Sequence, residues 1–390
     1  MSIDAFQQRT VELLGTLRQG GQYKEFLTIA GPLGATAQVQ GRGEVLVLCS
    51  NNYLGLADHP DVVAAGIAGL KQYGAGTASV RFICGTLACH RQIEETIAQF
   101  VGTERALTYV SCWNANEALL STIAGERDVL ISDELNHASI IDGCRLARKT
   151  VRDIYRHSDL GDLEAKLKTH ADKEVRWVIT DGVFSMEGDV ARLDELVEVC
   201  RRYEALLIVD DSHGVGVLGK TGRGTPEHFG LLGQIDILTG TLGKALGGAA
   251  GGYVAGAPHV VELLEQRSRP SLFSNALPAT VACSARAAIE IVQREPNRVA
   301  KLHANVRRMR DGLTALGFDL HDSPTAIIPI MIGDTAEAIK KSRRLMDLGV
   351  MVIAFGYPVV PQGQARLRVQ VSAALDDEHI ERALDAFGKL

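Results

Sequence analysis

A chain of 390 residues, 46% apolar and 23% charged, holds enough apolar material for a sizeable core, which excludes a disordered protein and suits two units, or one large α/β unit with a smaller companion. Its 47 acids and 41 lysines and arginines are scattered rather than clustered, and the net charge of −6 argues against a nucleic-acid surface. Seven cysteines, odd in number, widely spaced and without a Cys-x-x-Cys pair, argue against a disulfide framework or a zinc site.

Residues 1–25 place Phe6, Val11, Leu14 and Leu17 at roughly helical spacing, as in an amphipathic arm packed on the body or on a partner subunit. Asp4 and Glu12 in that stretch, with no apolar signal core, fit neither a secretory nor an organellar leader, and no run of about eighteen apolar residues could span a bilayer. The cytoplasm is the expected compartment. From about residue 51, short apolar runs at 106–110, 129–132, 177–180, 206–209 and 236–239 alternate with helix-period segments such as 87–101, 160–168 and 193–203. That alternation predicts a mainly parallel sheet covered by helices on both faces. The polar helices after residue 286, with the run 326–332, predict a smaller C-terminal unit. The expected division is an N-terminal segment 1–50, a large domain 51–285 and a small domain 286–390.

Ligands on such sheets bind beyond the carboxyl ends of the strands, and the chemical residues fall there. Asp210 and His213 end one run, the segment from Asp181 to Ser185 ends another, and Thr241 to Lys244 follow a third. Lys244 stands among glycines and threonines in Thr239-Gly240-Thr241-Leu242-Gly243-Lys244. A lysine where hydroxyl and backbone groups can also grip a phosphate, with an upstream acid to hold a protonated pyridine nitrogen, is the apparatus pyridoxal phosphate requires. Ser111-Cys112-Trp113, between a strand and a helix starting near Asn114, offers backbone N–H groups to that phosphate. The stretch 214–221 matches the nucleotide P-loop pattern letter for letter, but Asp210 and Asp211 would repel a triphosphate, and Gly222, Gly224 and Pro226 stand where the helix should start. Nucleotide binding is rejected there.

Asn51-Asn52-Tyr53-Leu54-Gly55-Leu56, Gly74 to Arg81, Asn136-His137-Ala138-Ser139, Asp181 to Met186 and Val209 to Gly214 follow one another in the order seen in the α-oxoamine synthases, which the chain resembles almost end to end. The resemblance implies the type I fold of pyridoxal 5'-phosphate-dependent transferases, with Lys244 as the Schiff-base lysine and Asp210 under the pyridine nitrogen. It also implies that His213 and Ser185 hydrogen-bond the cofactor's phenolic oxygen, that His137 stacks on its ring, and that Cys112, Trp113 and Thr241 help hold its phosphate. Ser274 and Asn275 match positions that reach the phosphate from the other subunit of a homodimer. Arg368, with Asn51 as neighbour, matches the grip on the amino-acid carboxylate. Two departures stand out: Trp113 occupies a position often held by phenylalanine, and Leu375 one often held by histidine.

The segments Ser79 to Thr86, Arg267 to Pro270 and Tyr357 to Pro361 most resemble members that condense glycine with acetyl-CoA to 2-amino-3-oxobutyrate. The alternative within the family joins alanine to a longer acyl-CoA with loss of carbon dioxide. A catalytically silent subunit is the reading from outside enzymes, and retention of Lys244 speaks against it. No metal is expected.

Overall fold

The computed structural model describes residues 2–20 and 22–390. Thirteen strands occur among them: β1 Thr36–Val39, β2 Gly43–Val47, β3 Arg105–Tyr109, β4 Val129–Asp133, β5 Val151–Tyr155, β6 Arg176–Asp181, β7 Leu206–Asp210, β8 Ile237–Thr241, β9 Gly252–Gly256, β10 Ile327–Gly333, β11 Val350–Met351, β12 Ile353–Phe355 and β13 Ala365–Gln370. Seven build the main sheet in the order β3-β9-β8-β7-β6-β4-β5. The pairs from β8 through β5 are parallel, while β9 is antiparallel to both its neighbours. All five apolar runs read from the sequence lie in this sheet, and two further strands join it. β5 sits at the edge, where most of its residues stay open. β9 is glycine-bounded and lies in what reads as a continuation of the glycine-rich loop.

Central strands are continuously apolar because helices cover both faces. Every residue of β4 is buried, and Val129, Leu130 and Ile131 have no exposed surface. The helix Ala88–Val101 buries Ile93, Ile97, Phe100 and Val101 and ends at Gly102 in the left-handed conformation, φ 79°, which lets the chain turn out of the helix without a Cβ clash. Residues 214–224 form turns around the buried Asp211, which accepts hydrogen bonds from the backbone N–H and hydroxyl of Thr225. Gly214 and Gly224 leave no room for a Cβ against that carboxylate. Gly214, the first glycine of the P-loop-like pattern, and Gly224 just beyond it thus close around an acid.

The C-terminal region adds a sheet of order β10-β13-β12, and β11 pairs with β2, itself paired with β1, which ties residues 36–47 to the C-terminal part of the chain. The helix Ala279–Arg294 runs through the expected boundary at 285/286. The N-terminal helix Ser2–Gln19 has no buried residue, and Ile3, Phe6 and Val11 are exposed on it. Among the described residues no helix is long and apolar enough to cross a membrane.

Candidate active site

Parallel register brings Asp181, Asp210 and Thr239 side by side at the carboxyl ends of β6, β7 and β8. There Asp181 and Asp210 border a cavity of about 620 Å³ of empty space, part of it open to solvent. Eight residues expected at the site line it: Cys112, Trp113, His137, Ser185, Asp210, His213, Thr241 and Lys244. The others stand apart from its wall. Arg368 and Asn51 belong to an adjoining polar cluster, and Ser274 and Asn275 line a separate small recess beside Arg81 and Asn114.

Lys244 follows β8 by three residues, in a turn fixed by the Thr241 hydroxyl, which accepts the Gly243 N–H at 3.1 Å. Desolvation lowers the pKa of its amine, and the carboxylate of Asp210 only partly opposes this. A lysine so placed yields its proton more readily, as a nucleophile toward an aldehyde must. Asp210 is buried; Asn116 donates to its Oδ2 at 2.7 Å and the Ser212 backbone N–H to its Oδ1 at 3.0 Å. Asp181 accepts the His137 N–H at 3.0 Å, and burial, reinforced by Asp210, holds its carboxyl well above the usual range.

The helix Cys112–Ile123 begins at the cavity, with Ser111 as its cap accepting the Asn114 N–H at 3.1 Å. The first N–H groups of a helix have no partner inside it and attract anions. Gly252 on β9 makes the approach possible, since a Cβ there would collide with the backbone of Cys112. The Trp113 ring meets the His137 ring edge-on, with centroids 5.9 Å apart.

Arg368 is buried. Its Nη1 donates to the Ser185 carbonyl at 2.8 Å and its Nη2 to Gln370 at 3.0 Å, while its Nε, equally buried, has no partner among the described residues. An orphaned guanidinium N–H is costly unless a ligand satisfies it, and a carboxylate suits its planar donor geometry. Leu375 lies wholly in the core, and its carbonyl accepts from Asn305 at 3.0 Å, so the departure there leaves an apolar packing position.

The description "Aminotransferase class I and II" matches residues 43–387. The chain belongs to the aminotransferase class I and II family. It is 48% identical over 388 residues to the 2-amino-3-ketobutyrate coenzyme A ligase of Escherichia coli K12, covering 99% of this chain and 97% of the relative. The 8-amino-7-oxononanoate synthase of Symbiobacterium thermophilum is 44% identical over 381 residues, 97% of this chain and 96% of that one. Serine palmitoyltransferase from S. paucimobilis, solved with bound PLP, superposes with a TM-score of 0.92 at 30% identity, over 97% of this chain and 96% of that one. Within this family the fold is that of the type I PLP-dependent transferases, with a mostly parallel seven-stranded sheet, flanking helices and a smaller C-terminal part.

The residues present fit the cofactor: an amine of lowered pKa, a buried carboxylate oriented by two donors, and a helix start brought close by a glycine, all on one cavity. Asn116 and Gln370 lay outside every motif read from the sequence, while Tyr53 and Asp181 stood inside such motifs without a role of their own. For Gln370 the signal that could have found it is the alternation Arg366, Arg368, Gln370 along one strand.

Proposed function

We propose that this chain is a pyridoxal 5'-phosphate-dependent acyltransferase that condenses glycine with acetyl-CoA to 2-amino-3-oxobutyrate and coenzyme A, a reversible step of threonine breakdown. The observation that carries it is the placement of Lys244 and Asp210 on one cavity next to Arg368, whose buried Nε has no partner among the described residues. The names of its relatives in Escherichia coli and in mammals support the choice of substrates.

When bound, the cofactor supplies an electron sink for the substrate α-carbon. Asp210, oriented by Asn116 and the Ser212 N–H, would face the ring nitrogen and keep it protonated. Arg368 grips the glycine carboxylate, with Asn51 at its side, and orients the α-C–H bond. Lys244 removes the α-proton. The α-carbon then forms its bond to the thioester carbonyl carbon, the C–S bond breaks, and coenzyme A leaves. His213 and Ser185 would donate to the cofactor's phenolic oxygen, His137 would cover its ring, and Cys112, Trp113 and Thr241 would hold its phosphate.

The working form is a homodimer. Ser274 and Asn275 stand off the cavity of their own chain and are proposed to reach the partner's phosphate, and the exposed apolar side chains of Ser2–Gln19 suit the same association. Seven free thiols suit a reducing compartment, and the cytoplasm is the proposed location.

The second reading, decarboxylating condensation of alanine with a longer acyl-CoA, rests on the 44% identical oxononanoate synthase. Coenzyme A release across a panel of amino acids and acyl-CoAs separates the two. Glycine with acetyl-CoA should give the highest kcat/KM, with little labelled carbon dioxide from carboxyl-labelled glycine when the β-keto acid is trapped at once by reduction. Preference for alanine and a long-chain thioester, or stoichiometric carbon dioxide despite trapping, contradicts the proposal.

A further inference from the structure

Gln370 lies two residues beyond Arg368 on β13, so strand alternation puts both on one face. Its buried amide makes three contacts. The oxygen accepts from Arg368 Nη2 at 3.0 Å, and because a guanidinium only donates, this fixes the orientation of the amide. The nitrogen therefore faces the other way and donates to Asn51 Oδ1 at 2.6 Å and to the Tyr53 hydroxyl oxygen at 2.9 Å. The Tyr53 hydrogen then has two acceptors in range. His213 Nδ1 is at 2.8 Å, whereas Asn51 Oδ1, already taken by Gln370, is at 3.4 Å. The shorter contact favours His213 Nδ1 as the acceptor, which puts the ring hydrogen on Nε2.

Burial keeps both partners neutral. The Tyr53 phenol is pushed up to about 12, and the His213 imidazole is held well below its usual value by desolvation first and by Lys244, Arg368 and His137 after it. No proton hop is needed: the arrangement is static and sets direction.

We propose that Gln370 is a positioning residue with two arms: its oxygen orients Arg368 for the substrate carboxylate, and its nitrogen, through Tyr53, fixes the His213 tautomer that presents Nε2–H as a donor. The inference rests on the cofactor and substrate roles proposed above for His213 and Arg368. It goes beyond them by naming one side chain that aligns both.

Two variants separate the arms. Tyr53→Phe deletes one oxygen and breaks only the His213 arm. Gln370→Leu breaks both. The first readout is the ¹⁵N spectrum of the His213 ring, taken on the full chain with and without pyridoxal 5'-phosphate. Wild type should show hydrogen on Nε2, Tyr53→Phe should lose that preference, and Gln370→Leu should give a tautomer mixture. The second readout is KM for glycine, which should rise roughly 10-fold in Gln370→Leu, from loss of a hydrogen bond to a charged group, and stay within about 2-fold in Tyr53→Phe. An unchanged His213 tautomer in Tyr53→Phe, or an unchanged KM in a folded Gln370→Leu, overturns the proposal. If wild type fails to take up pyridoxal 5'-phosphate, the functional reading falls, and the tautomer comparison on the cofactor-free chain still decides the His213 arm.

Discussion

Asn116 and Asp210 meet at 2.7 Å, the amide nitrogen of one donating to Oδ2 of the other. The second hydrogen of the same amide goes to Ser139 Oγ at 2.9 Å, and that hydroxyl lies 2.8 Å from His137 Nδ1. One amide therefore links the acid proposed to hold the pyridine nitrogen to the histidine proposed to cover the ring. A hydrogen bond to a charged group contributes about 1.5–3 kcal/mol. Asn116→Leu should weaken pyridoxal 5'-phosphate binding by roughly 10-fold or more, measured by equilibrium titration of the visible absorbance, with the fold checked by circular dichroism. Unchanged affinity would remove Asn116 from the site.

A composite site predicts complementation. Chains carrying Lys244→Ala and chains carrying Ser274→Ala with Asn275→Ala should each be nearly inactive alone. After subunit exchange, heterodimers should regain part of the activity, since one of their two sites has every residue intact. No recovery despite verified exchange would place Ser274 and Asn275 outside the phosphate site.

His157 supplies a pH-dependent contribution to stability away from the chemistry. Its Nδ1 lies 3.0 Å from Asp133 Oδ1 and its Nε2 2.8 Å from Asp189 Oδ2. Burial alone would lower its pKa, and hydrogen bonds and charge from the two carboxylates outweigh it and raise it to about 10. A histidine raised on folding stabilises fully below its unfolded pKa of about 6.5, and that stability is lost as pH rises through about 10. His157→Gln should therefore cost on the order of 2 kcal/mol near pH 6 and progressively less toward pH 10, read from urea unfolding. A difference independent of pH would show that the imidazolium contributes no charge effect.

The strands that form the middle of the sheet were legible because burial on both faces makes them continuous apolar runs. Val151–Tyr155 was not, since an edge strand keeps Arg152 and Asp153 and buries only Tyr155. Gly252–Gly256 was hidden by its glycines, one of which is required by the backbone of Cys112, a contact 140 residues away in sequence. In the site, residues at strand ends and in ordered motifs could be read directly. Asn116 could not: it sits inside a helix with no local pattern, and its role exists only because Asp210 and Ser139 fold against it. Gln370 needed the amide orientation that Arg368 imposes. Sequence carries the order of motifs well and carries poorly the polar contacts made across distant segments.

The account turns on Lys244, and the most direct measurement is borohydride reduction of the purified yellow protein followed by peptide mapping. The cofactor should be fixed to the peptide containing Lys244, and Lys244→Ala should take up no reducible label and lose turnover by orders of magnitude, as removal of a covalent catalyst does, about 10⁶-fold in a serine protease. Labelling at another lysine, or near-normal turnover in Lys244→Ala, would contradict it.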